Sequence, residues 1–117
     1  TSESTTSQGV YIDNPGSSNP ALEIADNGGS VKLSYEALGV SGNAATISPA
    51  VSVVYITSDN NGTADVITMP AGINGEFLYV VFIGTDNANF GVYTTTASAN
   101  LTFVYANNGW RVVSVVE

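Results

Sequence analysis

The chain has 117 residues, of which ten are acidic and only two, Lys32 and Arg111, are basic; the net charge is −8, and histidine and cysteine are both absent. That excludes imidazole as a general base, thiolate as a nucleophile, and nitrogen or sulfur as metal ligands. It also rules out a disulfide framework and argues against a grip on nucleic-acid phosphates, which depends mainly on Lys and Arg displacing counterions.

The length fits one domain. Charged residues make up 10% of the chain, against about 25% in an average soluble domain. Asn, Ser, Thr and Gly together fill 49 positions, so the surface is wetted by neutral hydrogen-bonding groups. Thr suits strands, while Asn, Ser and Gly suit turns. The longest apolar run, Phe77 to Ile83, has seven residues, far below the roughly 20 of a membrane-spanning helix.

In chain order, residues 1–9 are small and polar. They lack the basic start and apolar stretch of a signal peptide and are expected to be a flexible arm ordered by a neighbour. Residues 10–117 are expected to form a single β domain. Asp13-Asn14-Pro15-Gly16 and Ser18-Asn19-Pro20 are turn clusters. Leu22-Glu23-Ile24 and Val31-Lys32-Leu33-Ser34-Tyr35 alternate apolar and polar around Asn27-Gly28-Gly29, which predicts a hairpin. Glu36 to Pro49 reads as irregular, with Tyr35-Glu36-Ala37-Leu38 adding a helical turn.

Val51 to Thr57 is a strong strand pattern, and Asp59-Asn60-Asn61-Gly62 is expected to turn it into a second strand over Val66 to Met69. After the turn Pro70 to Gly75, the run Phe77 to Ile83 is apolar on both faces, the mark of a strand central in its sheet or covered by another subunit. Phe90 to Thr94 reads as a further strand. The clearest local signal is Leu101 to Tyr105, then Asn107-Asn108-Gly109, then Trp110 to Val116: Asn-Gly between alternating runs marks a hairpin. In it Leu101, Phe103 and Tyr105 share a face that Trp110, Val112 and Val116 can meet. The total is about eight or nine short strands with no helix and no repeat of fixed period. The expected fold is all-β, an antiparallel β-sandwich or a small barrel-like or jelly-roll domain.

Three features bear on chemistry. Asp59-Asn60-Asn61-Gly62-Thr63-Ala64-Asp65 places oxygens at alternate positions, as calcium loops do. However, its glycine comes at position 4, and position 12 is Pro70 rather than Glu, so a hairpin turn is the favoured reading and no metal or cofactor is expected. Asp86-Asn87-Ala88-Asn89 is a weaker case of the same kind. Paired carboxylates for glycoside hydrolysis have no sequence context among Glu23, Glu36 and Glu76, and no enzyme activity is expected. The six tyrosines (Tyr11, Tyr35, Tyr55, Tyr79, Tyr93, Tyr105) and Trp110 fall mostly inside apolar runs, which favours a core or a subunit interface over a sugar-stacking face.

From Val51 onward the order of elements resembles a small β module of tailed-phage structural proteins, notably those of marine and cyanobacterial phages. The resemblance rests on Ile67-Thr68-Met69-Pro70-Ala71-Gly72-Ile73-Asn74-Gly75-Glu76-Phe77-Leu78-Tyr79-Val80-Val81 and on Leu101-Thr102-Phe103-Val104-Tyr105-Ala106-Asn107-Asn108-Gly109-Trp110. Met69 stands where that module has Leu, and Leu78-Tyr79 where a Lys is common. Within this stretch Pro70 is expected to stop a strand ladder, Gly72 and Gly75 to take positive φ, and Trp110 to cap the core. A free-standing domain of this size most resembles a capsid decoration, or cement, protein. The resemblance implies many copies on the outer capsid surface of the virion, assembly in the host cytoplasm, and the major capsid protein and copies of itself, often as a homo-trimer, as partners. Neither nucleic acid nor membrane is among them.

The acidic charge suits a surface away from packaged DNA. The expected contact residues are the arm, Thr1, Ser2, Glu3, Ser4, Thr5, Thr6, Ser7 and Gln8, together with Phe77, Tyr79 and Val81. Two other roles compete: a phage knob, fibre or lectin-like domain recognising host glycans, and a secreted bacterial adhesin subunit.

Overall fold

The computed structural model describes residues 31–49 and 51–117. The arm and the Leu22–Ile24 strand therefore lie outside the described residues, as do Asn27-Gly28-Gly29. The fold is carried by Leu33–Glu117. Eight strands follow in order: β1 (Tyr35–Gly39), β2 (Ala44–Thr46), β3 (Val53–Thr57), β4 (Asp65–Thr68), β5 (Phe77–Ile83), β6 (Ala88–Asn89), β7 (Ala99–Tyr105) and β8 (Trp110–Val116). Among the described residues there is no helix. The all-β expectation holds among the described residues.

The arrangement departs from an antiparallel fold. A five-stranded sheet has the order β1-β3-β5-β7-β8 and a three-stranded sheet the order β2-β4-β6. Pairings β1–β3, β3–β5, β2–β4 and β4–β6 are all parallel; only β5–β7 and β7–β8 are antiparallel. From β1 to β6 the odd strands enter the larger sheet and the even strands the smaller, so the chain winds through three successive coils, β1-β2, β3-β4 and β5-β6. The antiparallel pair β7-β8 then closes it. The sheets do not close into a barrel.

This winding explains several local differences from the sequence reading. Glu36–Pro49 is not irregular, and Tyr35-Glu36-Ala37-Leu38 is not helical: the stretch supplies β1 and β2, the first coil. The segment Asp59–Gly62 does not make a hairpin, because β3 and β4 lie in different sheets. Phe90–Thr94 is a tight turn rather than a strand: the Phe90 amide donates to the Tyr93 carbonyl at 2.8 Å, and Asn89 bridges to Thr94.

The two sheets share one core. Val54, Ile56, Leu78, Val80, Phe82, Leu101 and Phe103 come from the larger sheet, Ile67 and Ala88 from the smaller, and Phe90 from the turn after β6. Phe90 packs edge-on to Phe82 at 6.3 Å between ring centres and lies 5.6 Å from Phe103. The strand β5 is third of five in its sheet, the central place that its two-sided apolar pattern predicts.

The closing hairpin forms as its sequence predicts, with one change. Asn107 and Asn108 both have positive φ (52° and 58°), and the Ala106 amide donates to the Gly109 carbonyl at 2.9 Å. This is a two-residue turn whose twist suits a hairpin. Further along, Leu101 pairs with Val115 while Phe103 pairs with Val112, a shift of one residue on β8. The bulge flips the faces, so Val115 packs on the core and Val116 points outward, 63% exposed.

Trp110 is buried at the core margin. Its indole Nε1 donates to the Pro70 carbonyl at 2.8 Å, and its ring meets Tyr105 edge-on at 5.2 Å. Gly75 has the positive φ its turn needs (101°), but Gly72 is glycine for another reason. A Cβ there would lie 2.2 Å from the Tyr105 ring.

Candidate functional site

Among the described residues no ligand-sized pocket opens, and two other features stand out. The first is the outer face of the larger sheet. Strand pairing sets its rows: Tyr35, Val53, Tyr79 and Thr102 stand side by side, then Ala37, Tyr55, Val81 and Asn100, with Phe77 beside Val104 and Arg111 at one end. Tyr35 is 60% exposed, Tyr79 44% and Phe77 41%; Val81 is half-buried. The Phe77 and Tyr79 rings meet edge-on at 5.4 Å. Phe77, Tyr79 and Val81, the contact residues expected on β5, thus share one outward face. The neighbouring strands add Tyr35, Val53 and Tyr55, which were not among the expected contact residues. Arg111 is the single charged residue on this face among the described residues. Its guanidinium donates to the Ala106 and Asn107 carbonyls of the hairpin turn. Tyr93 and Tyr105, by contrast, pack against the core.

The second feature lies where the coils stack. The loops after β1, β3 and β5 are cross-linked by side chains. The Asn43 amide donates to Asp59 Oδ2 at 3.2 Å, the Thr85 amide to Asn60 Oδ1 at 2.8 Å, and the Gly62 amide to Asp86 Oδ1 at 3.0 Å; Asn61 Nδ2 donates to Asn43 Oδ1. The Ser58 hydroxyl donates to Asp86 Oδ2 at 3.4 Å. Gly84 admits this stacking: a Cβ on it would lie 2.2 Å from Ser58 Cβ.

Three carboxylates converge in these loops. Oxygens of Asp59, Asp65 and Asp86 all lie within 4.8 Å of one another. Asp65 opens β4 on the face that also carries Ile67, and none of its surface is exposed; Asp86 is also buried. Neither carboxylate oxygen of Asp65 has a hydrogen-bond partner, nor does Asp59 Oδ1. Burial pushes the Asp65 carboxyl above the usual carboxylate range, and the charges of Asp59 and Asp86 push the same way. The nearby Ser58 hydroxyl, whose donated bond goes to Asp86, opposes them.

In the sequence Asp59 and Asp65 share a segment with the chemistry of a turn, and Asp86 falls in a separate, weaker one. A signal that joins them is a recurring triplet just after β1, β3 and β5: Ser41-Gly42-Asn43, Ser58-Asp59-Asn60 and Thr85-Asp86-Asn87.

Compared with known proteins, the chain matches no protein-family model and no curated protein.

Proposed function

We propose that this protein is a virion structural component, a decoration protein that binds the outside of a capsid shell in many copies and stabilises it. The observation that carries the reading is the outer face of β1, β3 and β5, where Tyr35, Tyr55, Phe77 and Tyr79 are exposed on neighbouring strands. Contiguous apolar and aromatic surface of this kind marks an interface, and Tyr and Phe are enriched at interface cores. The role asks for complementary surface and repetition rather than turnover, since symmetric attachment multiplies modest contacts into firm ones.

Further support comes from the strong negative charge, which disfavours contact with packaged DNA, and from the resemblance of residues 67–81 and 101–110 to the phage module. In this reading the two sheets are the layers of a small sandwich, and the exposed face of the larger layer packs on the shell or on a second copy.

Sedimentation of the purified chain, alone and with capsid shells, tests the proposal. The wild-type chain is expected to form an oligomer and to co-sediment with shells at fixed stoichiometry. The double variant Tyr55→Glu, Tyr79→Glu is expected to stay folded, become monomeric and lose shell binding. A wild-type monomer that ignores shells overturns the reading. If that monomer binds glycans through Tyr55 or Tyr79, receptor recognition replaces it.

A further inference from the structure

We propose that Asp59, Asp65 and Asp86 form a structural calcium site that clasps the second coil of the winding to the third. A cluster of acids is common on protein surfaces and by itself says little. Here Asp65 sets the cluster apart: it is fully buried, both of its oxygens lack partners, and they face two further carboxylates.

Three carboxylates gathered inside 4.8 Å repel one another, and an unpartnered buried carboxylate is costly to keep charged. A divalent cation at their centre removes both penalties. The hydrogen bonds already made leave the right atoms free. Asp86 is held by the Gly62 amide and the Ser58 hydroxyl, and Asp59 Oδ2 by the Asn43 amide. Asp59 Oδ1 and both Asp65 oxygens have no other partner, and each Asp86 oxygen, accepting a single bond, keeps a lone pair for the ion.

The donors are all oxygen, which selects a hard cation. Calcium accepts oxygens at 2.3–2.6 Å, so ligands on opposite sides stand roughly 4.6–5.2 Å apart. The three ligand atoms lie within 4.8 Å of one another, close enough to share one such ion. The buried setting decides between calcium and magnesium. Magnesium sheds water reluctantly and keeps several water ligands, while calcium readily takes a protein-rich shell.

The test uses the full chain, stripped with a chelator and then titrated with calcium chloride or magnesium chloride, followed by calorimetry and thermal melting. One saturable calcium site is expected. At about one hundred times the dissociation constant the melting temperature rises by on the order of 10 °C, and magnesium at the same concentration gives a much smaller rise. Asp65→Asn is expected to abolish both the binding heat and the rise. In chelator it melts above wild type, because the amide replaces a buried charge and its Nδ2 can donate to the neighbouring carboxylates; in calcium it melts below wild type. Asp86→Asn is a second variant expected to lose the calcium response, and Glu117→Gln, away from the cluster, keeps it. No binding heat and no rise in millimolar calcium overturns the site, as does an undiminished response in both cluster variants. An equal rise with magnesium overturns the assignment to calcium.

Discussion

The coils of β1–β6 and the hairpin of β7–β8 share one core but are specified by different physics. In the hairpin, Tyr105 meets Trp110 across a short turn, so the geometry of Asn107 and Asn108 sets the register locally. In the coils, Tyr35 pairs with Val53, Val53 with Tyr79, and Asp65 with Ala88, at separations of 18, 26 and 23 residues. The chain visits the other sheet between paired strands, so no turn dictates the pairing. Register there rests on stacked loops: Gly84 against Ser58, Thr85 on Asn60, Asn43 on Asp59. A hairpin thus carries its own instructions, whereas a coil depends on the coil beside it.

The largest expected effect tests whether the two regions unfold together. Phe82 is fully buried on β5 and packs on Phe90, which also reaches Phe103 of the hairpin. Phe82→Ala is expected to cost about 3–5 kcal/mol in urea unfolding. Trp110 fluorescence, reporting the hairpin, and far-ultraviolet circular dichroism, reporting all strands, should still give coincident transitions. If the Trp110 signal persists after the strands are lost, the hairpin stands alone and the shared core does not couple them.

A smaller effect separates stacking from strand propensity. Gly84→Ala drives a methyl into Ser58 and is expected to cost about 1–3 kcal/mol. Gly39→Ala, on edge strand β1 with open space at its Cβ, is expected to stay within about 0.5 kcal/mol of wild type. Equal costs at the two positions would mean that loop stacking is not what holds the coils in register.

The smallest effect belongs to the hairpin. Asn108→Ala places a residue with a Cβ in the left-handed region without the local hydrogen bonding of Asn, at about 1 kcal/mol. Asn108→Gly is expected to match or exceed wild-type stability. A loss with Gly as large as with Ala would assign the Asn108 role to its side chain, which accepts from Asn74 Nδ2 at 3.3 Å.

What the sequence made legible follows the same division. The β7–β8 hairpin and the central position of β5 were readable because each is written in neighbouring residues: a turn between alternating runs, and seven apolar residues in a row. The coils were not. Asp59-Asn60-Asn61-Gly62 has the chemistry of a hairpin turn, and Asn60 and Gly62 do take positive φ, but the same chemistry also serves a corner between sheets. The strands β1 and β2 are short and only partly buried, so their alternation is faint. Val116 was misplaced because a bulge leaves no mark in residue type. The acidic cluster was half-seen. Asp59 and Asp86 lie within the second and third of the triplets at residues 41–43, 58–60 and 85–87, whose unequal spacings of 17 and 27 hide a repeat that only stacking reveals. The shared outward face of Phe77, Tyr79 and Val81 was legible because they alternate within the apolar run. Tyr35 and Tyr55 needed the parallel register to bring them alongside.

The alternation of odd and even strands between the sheets has an evolutionary corollary. Each coil adds one strand to each sheet and presents to the next coil an edge like the one it received. Duplicating or deleting a whole coil would therefore preserve the connectivity of both sheets and leave the terminal hairpin intact. Chain length in this architecture can change in steps of one coil, and unequal crossing-over between the triplet-bearing corners is the kind of genetic event that would lengthen or shorten it without redesign.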